Sequence, residues 1–300
     1  PSRTASAGSW RSTPYDPTST PVKHTMLGRF KHEGANIALS RSGHAVAYMG
    51  DDERGDYLYK FVSAGKVDRS GTAAAKRRNM TLLTKGTLFV AKLTGDGTED
   101  GRFDGKGKWI PLCSDTESFV PGMSVADVLI FTRLAADKVG PTKMDRPPED
   151  VQPNPVNGRV YAALTNNSNR GSGAMPVDEA NPLPSSKVRA SIGAPPLTDA
   201  SGNRNGYVLE MTPPTTAATR RTASPGTCSS CAVTPPRRRR PTSAASTSRR
   251  SARSAAPDNV AFDRAGNLWI STDGNVLGSN DGGSSGCPSP GRTAARCSSS

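Results

Sequence analysis

Long hydrophobic runs are missing from this 300-residue sequence. No apolar stretch approaches the roughly 18 residues that a membrane-spanning helix needs, so the chain as it stands has no membrane span. Aromatics are scarce at 5% and apolar residues reach only 34%, while Gly (30) and Pro (25) are plentiful. That mix excludes a coiled coil, a collagen and a bundle of long helices. Histidine is rare: His24, His32 and His44 are the three present. The phosphate-cradling G-x-x-x-x-G-K-[ST] loop is absent as well. The chain opens at Pro1 with no charged-then-apolar leader, so we expect any export signal to lie outside it.

Acidic residues are absent from three stretches, and these carry the whole charge imbalance. The formal net charge is +13. Residues 1–14 hold two arginines, 213–256 hold nine and 283–300 hold two, all without a single Asp or Glu, so the rest of the chain is formally neutral. Lys is absent from all three, and Trp10 is their one aromatic residue. A nucleic-acid-binding domain spreads Lys and Arg over a folded face and interleaves stacking aromatics, so no nucleic-acid partner is expected. The stretches are Ser/Thr/Ala/Pro/Arg mixtures that bury too little apolar surface to pack. Each abuts well-patterned sequence without a graded linker, as GC-rich coding DNA does when translated out of frame. We expect them to be unpacked, out-of-frame segments.

Cysteine adds little. Cys228, Cys231, Cys287 and Cys297 lie in those stretches, and only Cys113 lies in ordinary sequence. Cys228 and Cys231 have redox or zinc spacing, but no second pair supports either reading.

Between the stretches a theme recurs. GHAVAYMGDD (43–52), GTLFVAKLTGDG (86–97), GRVYAALTNNS (158–168) and GNLWISTDGN (266–275) each open on Gly, alternate apolar residues and end in Asp, Asn or Gly. Period-2 alternation predicts strands. Three are followed by second strands: DYLYKFVS (56–63), KWIPL (108–112) and NGYVLEMTP (206–213). The first two starts lie 43 residues apart, matching propeller blades of about 40–50 residues. One helix is expected at 124–140, with Val125, Val128, Leu129 and Leu134 on a shared face. Residues 171–206 read as a long loop. The fold class is therefore all-β, with propeller blades at 15–212, further strands at 257–282 and one inserted helix.

Candidate chemistry sits where strands end. His32-Glu33 follows GRF (28–30), Asp51-Asp52-Glu53 closes a strand, Arg146 and Glu149 lie in MDRPPEDV (144–151), and Asp258-Asn259 precedes Val260. Carboxylates and amides gathered from blade ends suit hard cations, although each alone can simply cap a turn. GDGTEDGRFDGKG (95–107) opens like an EF-hand loop, but Gly107 stands where Glu is required, so a polar hairpin is expected.

GRFKHEGA (28–35), GHAVAYMGDDERGDYLYKFV (43–62), TKMDRPPEDVQPNPVNGRVYAALTNN (142–167) and PDNVAFDRAGNLWISTDG (257–274) together resemble, in order, the PhoX-type alkaline phosphatases. The resemblance implies a six-bladed β-propeller, exported by the twin-arginine route and monomeric when intact, that hydrolyses phosphomonoesters with calcium and iron. Carried over residue by residue, it implies Glu33, Glu149 and Asp258 as metal ligands and Arg146 and Asn259 as phosphate or metal contacts. The family's R-P-E is here interrupted by Pro148, which moves Glu149 one place along; on a strand this reverses a side chain unless a bulge absorbs it. Family members are much longer, so the chain reads as a fragment, inactive by itself. The alternatives are a calcium-dependent lactonase or strictosidine-synthase-like propeller, and a non-catalytic propeller fragment.

Overall fold

Each Gly-led apolar stretch folds as a strand, and the described strands pair antiparallel, as alternating sequence leads one to expect. The computed structural model describes residues 8–13, 16–95, 103–144, 146–166, 206–212, 227–234, 257–272, 284–287 and 298–299. A short ribbon pairs β1 (Trp10–Arg11) with β2 (Val22–Lys23). Next come β3 (His32–Leu39), β4 (His44–Asp51), β5 (Leu58–Lys66), β6 (Gly86–Gly95) and β7 (Phe103–Ser114), and then β8 (Arg146–Pro153), β9 (Val160–Asn166), β10 (Tyr207–Thr212) and β11 (Thr227–Thr234). The last strands are β12 (Pro257–Phe262), β13 (Leu268–Thr272), β14 (Ser284–Cys287) and β15 (Ser298–Ser299).

Strand order shows three meanders. β3 to β7 form the first, β8 to β11 the second, and pairing of β7 with β11 joins them into one nine-stranded sheet. β12 to β15 form the third. The leading strands β3 and β8 lie at opposite edges of the large sheet, yet they pack against each other, and β12 packs against β8. The sheet therefore curls until its edges meet, as blades gathered round an axis do. The all-β, propeller-type fold expected from the sequence is the one the chain adopts; among the described residues the meanders do not close a ring. The blade repeat differs from the expected one. The motifs starting at Gly43 and Gly86 give β4 and β6, which belong to one meander, so their interval is not a blade. The true repeats begin at His32, Arg146 and Pro257, strands whose polar, Gly- and Pro-bearing sequences hide the alternation.

Burial on both faces fixes β5 at the centre. Tyr59 and Phe61 face a cluster with Phe30, Met49, Leu88, Leu112, Val128, Ala135 and Ala136, whereas Leu58 faces Leu93, Met144, Val151, Leu164 and Leu209. The first cluster is roofed by helices. The helix expected over 124–140 is instead two, α2 (Val125–Ile130) and α3 (Thr132–Val139), broken at Phe131. The break has a cause: Arg29 Nε donates to the Ile130 carbonyl at 2.7 Å, and the Thr132 hydroxyl turns back to the Val128 carbonyl at 2.9 Å. Both bonds satisfy acceptors that a continuous helix would use itself. The rotation after Phe131 leaves Leu134, expected on the apolar face, exposed, and buries Ala135 and Ala136. A further helix, α1 (Ala73–Asn79), is capped by the Thr72 hydroxyl, which accepts from the Ala75 amide.

The stretches expected to lack packed structure are described at 8–13, 227–234, 284–287 and 298–299, and these include β1, β11, β14 and β15. A ladder uses backbone groups that any composition supplies. The remainder of 1–14, 213–256 and 283–300, and the loop expected at 171–206 except Gly206, lie outside the described residues. Gly95 pairs with Gly105, which makes the EF-hand-like stretch a hairpin. No helix among the described residues is long and apolar enough to cross a membrane.

Candidate active site on three bulged strands

The leading strand of each meander carries one extra residue. In β3 the register against β4 slips between Glu33 and Asn36; in β8 the register against β9 slips between Pro148 and Val151; in β12 the register against β13 slips between Pro257 and Val260. A bulge interrupts alternation and re-aims side chains, which is why bulges gather beside active sites. All the acidic residues singled out for metal ligation lie at these slips: Glu33 opens the first, Glu149 lies inside the second, and Asp258 lies inside the third with Asn259. The bulge in β8 takes up one residue just where Pro148 lengthens the R-P-E motif.

Close packing brings the slips together. Gly50 of β4, paired with Glu33, abuts the β8 backbone so tightly that a Cβ there would stand 2.1 Å from the Pro148 carbonyl oxygen and 2.3 Å from that of Glu149. Only glycine permits that approach. Gly34 holds φ at +70°, the left-handed turn that opens the β3 bulge. A side chain at Gly34 would also crowd Asp150, whose Oδ1 would lie 3.2 Å from its Cβ.

Asp150 is the meeting point, and the sequence reading passed over it. Its Oδ1 accepts from Asn36 Nδ2 at 2.7 Å, and its Oδ2 accepts from the Val260 amide at 3.3 Å, tying β8 to β3 and to β12. Gln152 Nε2 lies 3.3 and 3.1 Å from the same two oxygens. The Asn36 amide also donates to the Val151 carbonyl at 2.9 Å. The one signal available in sequence was an adjacent Glu-Asp pair: on a regular strand the two would point to opposite faces, whereas here both are buried.

Electrostatics distinguishes the group. Burial pushes the Glu33 carboxyl above its ordinary value, and the negative charges of Asp52, Asp258 and Asp150 push it further the same way. Crowded carboxylates resist ionising together, and a bound cation relieves that strain. Asp258 is half-buried, and Asn259 is exposed and donates its side-chain amide to the Asp258 carboxylate. Glu149 is buried. Arg146 pairs through its backbone with Asn166 at the start of β8; its side chain lies outside the described residues. The structure thus gathers Glu33 with Asp52, Asp150 and Asp258 and puts Glu149 in the adjoining bulge.

The donors fit a hard cation in chemistry, since all are carboxylate or amide oxygens. They are not yet a cage: among the described residues no three of His, Cys, Asp and Glu are arranged to hold a metal ion.

Two other candidates are structural. Asp51 is fully buried, and Arg133 of α3 grips it with both Nε, at 2.8 Å, and Nη2. His32 stacks on Phe30 with ring centroids 3.7 Å apart, and its Nε2 contacts the Gly28 carbonyl at 3.1 Å. Burial presses its pKa down to about 4, so it is neutral at physiological pH. Cys113 is buried and free, its thiol pushed up to about 12 by burial.

Comparison with known proteins agrees with the fold. The profile of the family described as "Alkaline phosphatase PhoX" matches residues 13–294, a span that runs through the Arg-rich stretch 213–256. No curated protein matches. Among solved structures, Pseudomonas fluorescens PhoX in complex with vanadate, a transition-state analogue, is similar at a TM-score of 0.68 and 32% identity. The match covers 92% of this chain and 45% of that chain, so the present sequence spans less than half the length of that protein. By a profile that spans most of its length and a structural likeness at 32% identity, this chain belongs to the PhoX alkaline phosphatase family.

Proposed function

We propose that this chain supplies part of the active site of a secreted, metal-dependent phosphatase that hydrolyses phosphomonoesters. The observation that supports the reading is the mutual packing of three bulged strands, each of which carries a carboxylate of a family motif. Cations held by Glu33, Glu149 and Asp258, calcium and iron in this reading, would polarise a phosphoryl oxygen and neutralise charge developing on it. Arg146 offers a planar fork able to hold two phosphoryl oxygens at once. Asn259 offers an uncharged amide donor beside the same oxygens. Asn259 also steadies the Asp258 carboxylate, and Asp52 and Asp150 maintain the negative field that favours cations over a second anion.

The 300-residue chain alone turns over little substrate in this reading. Among the described residues its three meanders do not close a ring, so strand edges stay open. The intact parent protein acts as a monomer and reaches the cell exterior by the twin-arginine route; fractionation of cells expressing it with its own leader checks the address.

The deciding experiment uses the intact parent protein. We expect hydrolysis of a phenyl phosphate, no hydrolysis of a lactone, and loss of turnover on chelation of calcium. Glu149→Ala and Asp258→Ala each lower metal binding and turnover together. Arg146→Lys lowers turnover too, because a point charge does not replace a bidentate fork. Full activity in both carboxylate variants overturns the metal-site assignment, and lactone turnover without phosphatase activity overturns the substrate class.

A further inference from the structure

The ligands of the proposed site come from three separate strands, and nothing in β3, β8 or β12 alone sets the distance between them. One side chain touches all three. Asp150 accepts from the β3 side chain Asn36 and the β12 backbone at Val260, and both of its oxygens also lie within reach of Gln152 on its own strand. Those contacts occupy both carboxylate oxygens from the protein side. Glu149 is the neighbouring acid in the same bulge.

We propose that Asp150, together with Asn36, is the positioning residue of this site, holding together the three bulged strands that carry Glu33, Glu149 and Asp258. The inference rests on the metal-site reading above. The physical reason is that a bulge is a local register defect whose side chains have no ladder to fix them. A carboxylate that accepts charge-assisted hydrogen bonds from two neighbouring strands supplies the missing constraint. Its partners are matched in kind: Asn36 uses one amide nitrogen to reach both Asp150 Oδ1, at 2.7 Å, and the Val151 carbonyl, at 2.9 Å, so it grips the bulge on either side of a single peptide. Gly34 completes the arrangement, because a side chain there would stand in the path of this bond.

The test exchanges the two partners. Terbium, an oxygen-seeking luminescent cation, is titrated into the full 300-residue chain and into four variants, with melting temperatures measured in parallel. Asp150→Asn faces an amide to an amide and Asn36→Asp a carboxylate to a carboxylate; each is expected to weaken terbium binding roughly 10–100-fold, the range found when groups that orient metal ligands are removed. The double variant Asn36→Asp/Asp150→Asn restores an amide-to-carboxylate bond at unchanged net charge. It is expected to recover most of the affinity. A residue acting as a ligand gives no such recovery, and one acting by charge alone makes Asn36→Asp bind terbium more tightly rather than less. Asn36→Ser, a milder change, carries the test if Asp150→Asn does not fold. Wild-type binding with Asp150→Asn and Asn36→Ser unchanged, or an exchanged pair no better than the single variants, overturns the positioning role while leaving the metal site standing. No terbium binding by wild type, with a cooperative melt, overturns the metal-site reading and this one with it.

Discussion

Two regions of this molecule bury carboxylates, and they treat them in opposite ways. At the junction of β4 and α3, Asp51 is fully buried and forked by Arg133, which also lies 3.4 Å from Asp56 and 3.9 Å from Glu53. Lys31 adds a contact of 2.7 Å to Glu53. Burial still raises the Asp51 pKa, but Arg133 opposes that rise. At the three bulges, the charges bearing on Glu33 are those of other carboxylates. The first region is complete in itself and docks a helix onto the sheet. The second crowds carboxylates, at the cost of self-repulsion. A protein keeps such strain where a ligand relieves it.

The largest way to test the contrast is to break the completed region. Asp51→Ala removes the buried partner of Arg133, and hydrogen bonds to a charged group contribute about 1.5–3 kcal/mol. Urea denaturation should show that loss; a change within error would mean the pair contributes no more than a surface one. Next in size is the close approach that brings the bulges together. Gly50→Ala places a methyl group against the Pro148 carbonyl, and overpacking costs typically about 1–3 kcal/mol. We expect a lowered melting temperature together with weaker cation binding. Unchanged binding would separate the β4–β8 contact from the site.

The third effect is smaller and opposite in sign. Glu33→Gln removes a repelled charge, so without metal the variant should melt at the same temperature or slightly higher, while its cation affinity falls. A clear drop in melting temperature would make Glu33 a structural residue like Asp51. The smallest effect is one of pH. Burial holds the folded His32 pKa near 4, below the ordinary value of 6.5. As pH falls below about 6.5 the unfolded chain takes up the proton first, so stability is lost progressively towards pH 4. Asp56 works against this: burial raises its pKa to about 6, so its folded form binds the proton first and regains stability over the same acid range. Thermal melts across pH 4–7 should therefore show His32→Gln more acid-resistant than wild type and Asp56→Asn less so. Identical profiles would remove both assignments.

Much of the fold was legible because it rests on a short-range pattern. The alternation in GHAVAYMGDD, GTLFVAKLTGDG and NGYVLEMTP predicts β4, β6 and β10, since a period of two suits a sheet with buried faces. Hidden were the strands that matter most for the site. HEGANIAL, RPPEDVQP and PDNVAF carry Gly, Pro and acids at the places where alternation would have declared them. The helix break at Phe131 was hidden too, because it depends on Arg29, which lies 101 residues from Ile130 in sequence and is bonded to its carbonyl.

The sequence by itself determined which residues could do chemistry. Glu33, Arg146, Glu149, Asp258 and Asn259 stand in ordered motifs that identify the family, and the oxygen-rich set follows from residue type alone. Only the tertiary structure decided how those motifs meet. Alternation is blind to a bulge, since one extra residue leaves no mark in composition, and it is blind to a contact between opposite edges of a curled sheet. The role of Asp150 lies in that second category: its partners Asn36 and Val260 are brought to it by packing, and no local pattern in the chain could have announced them.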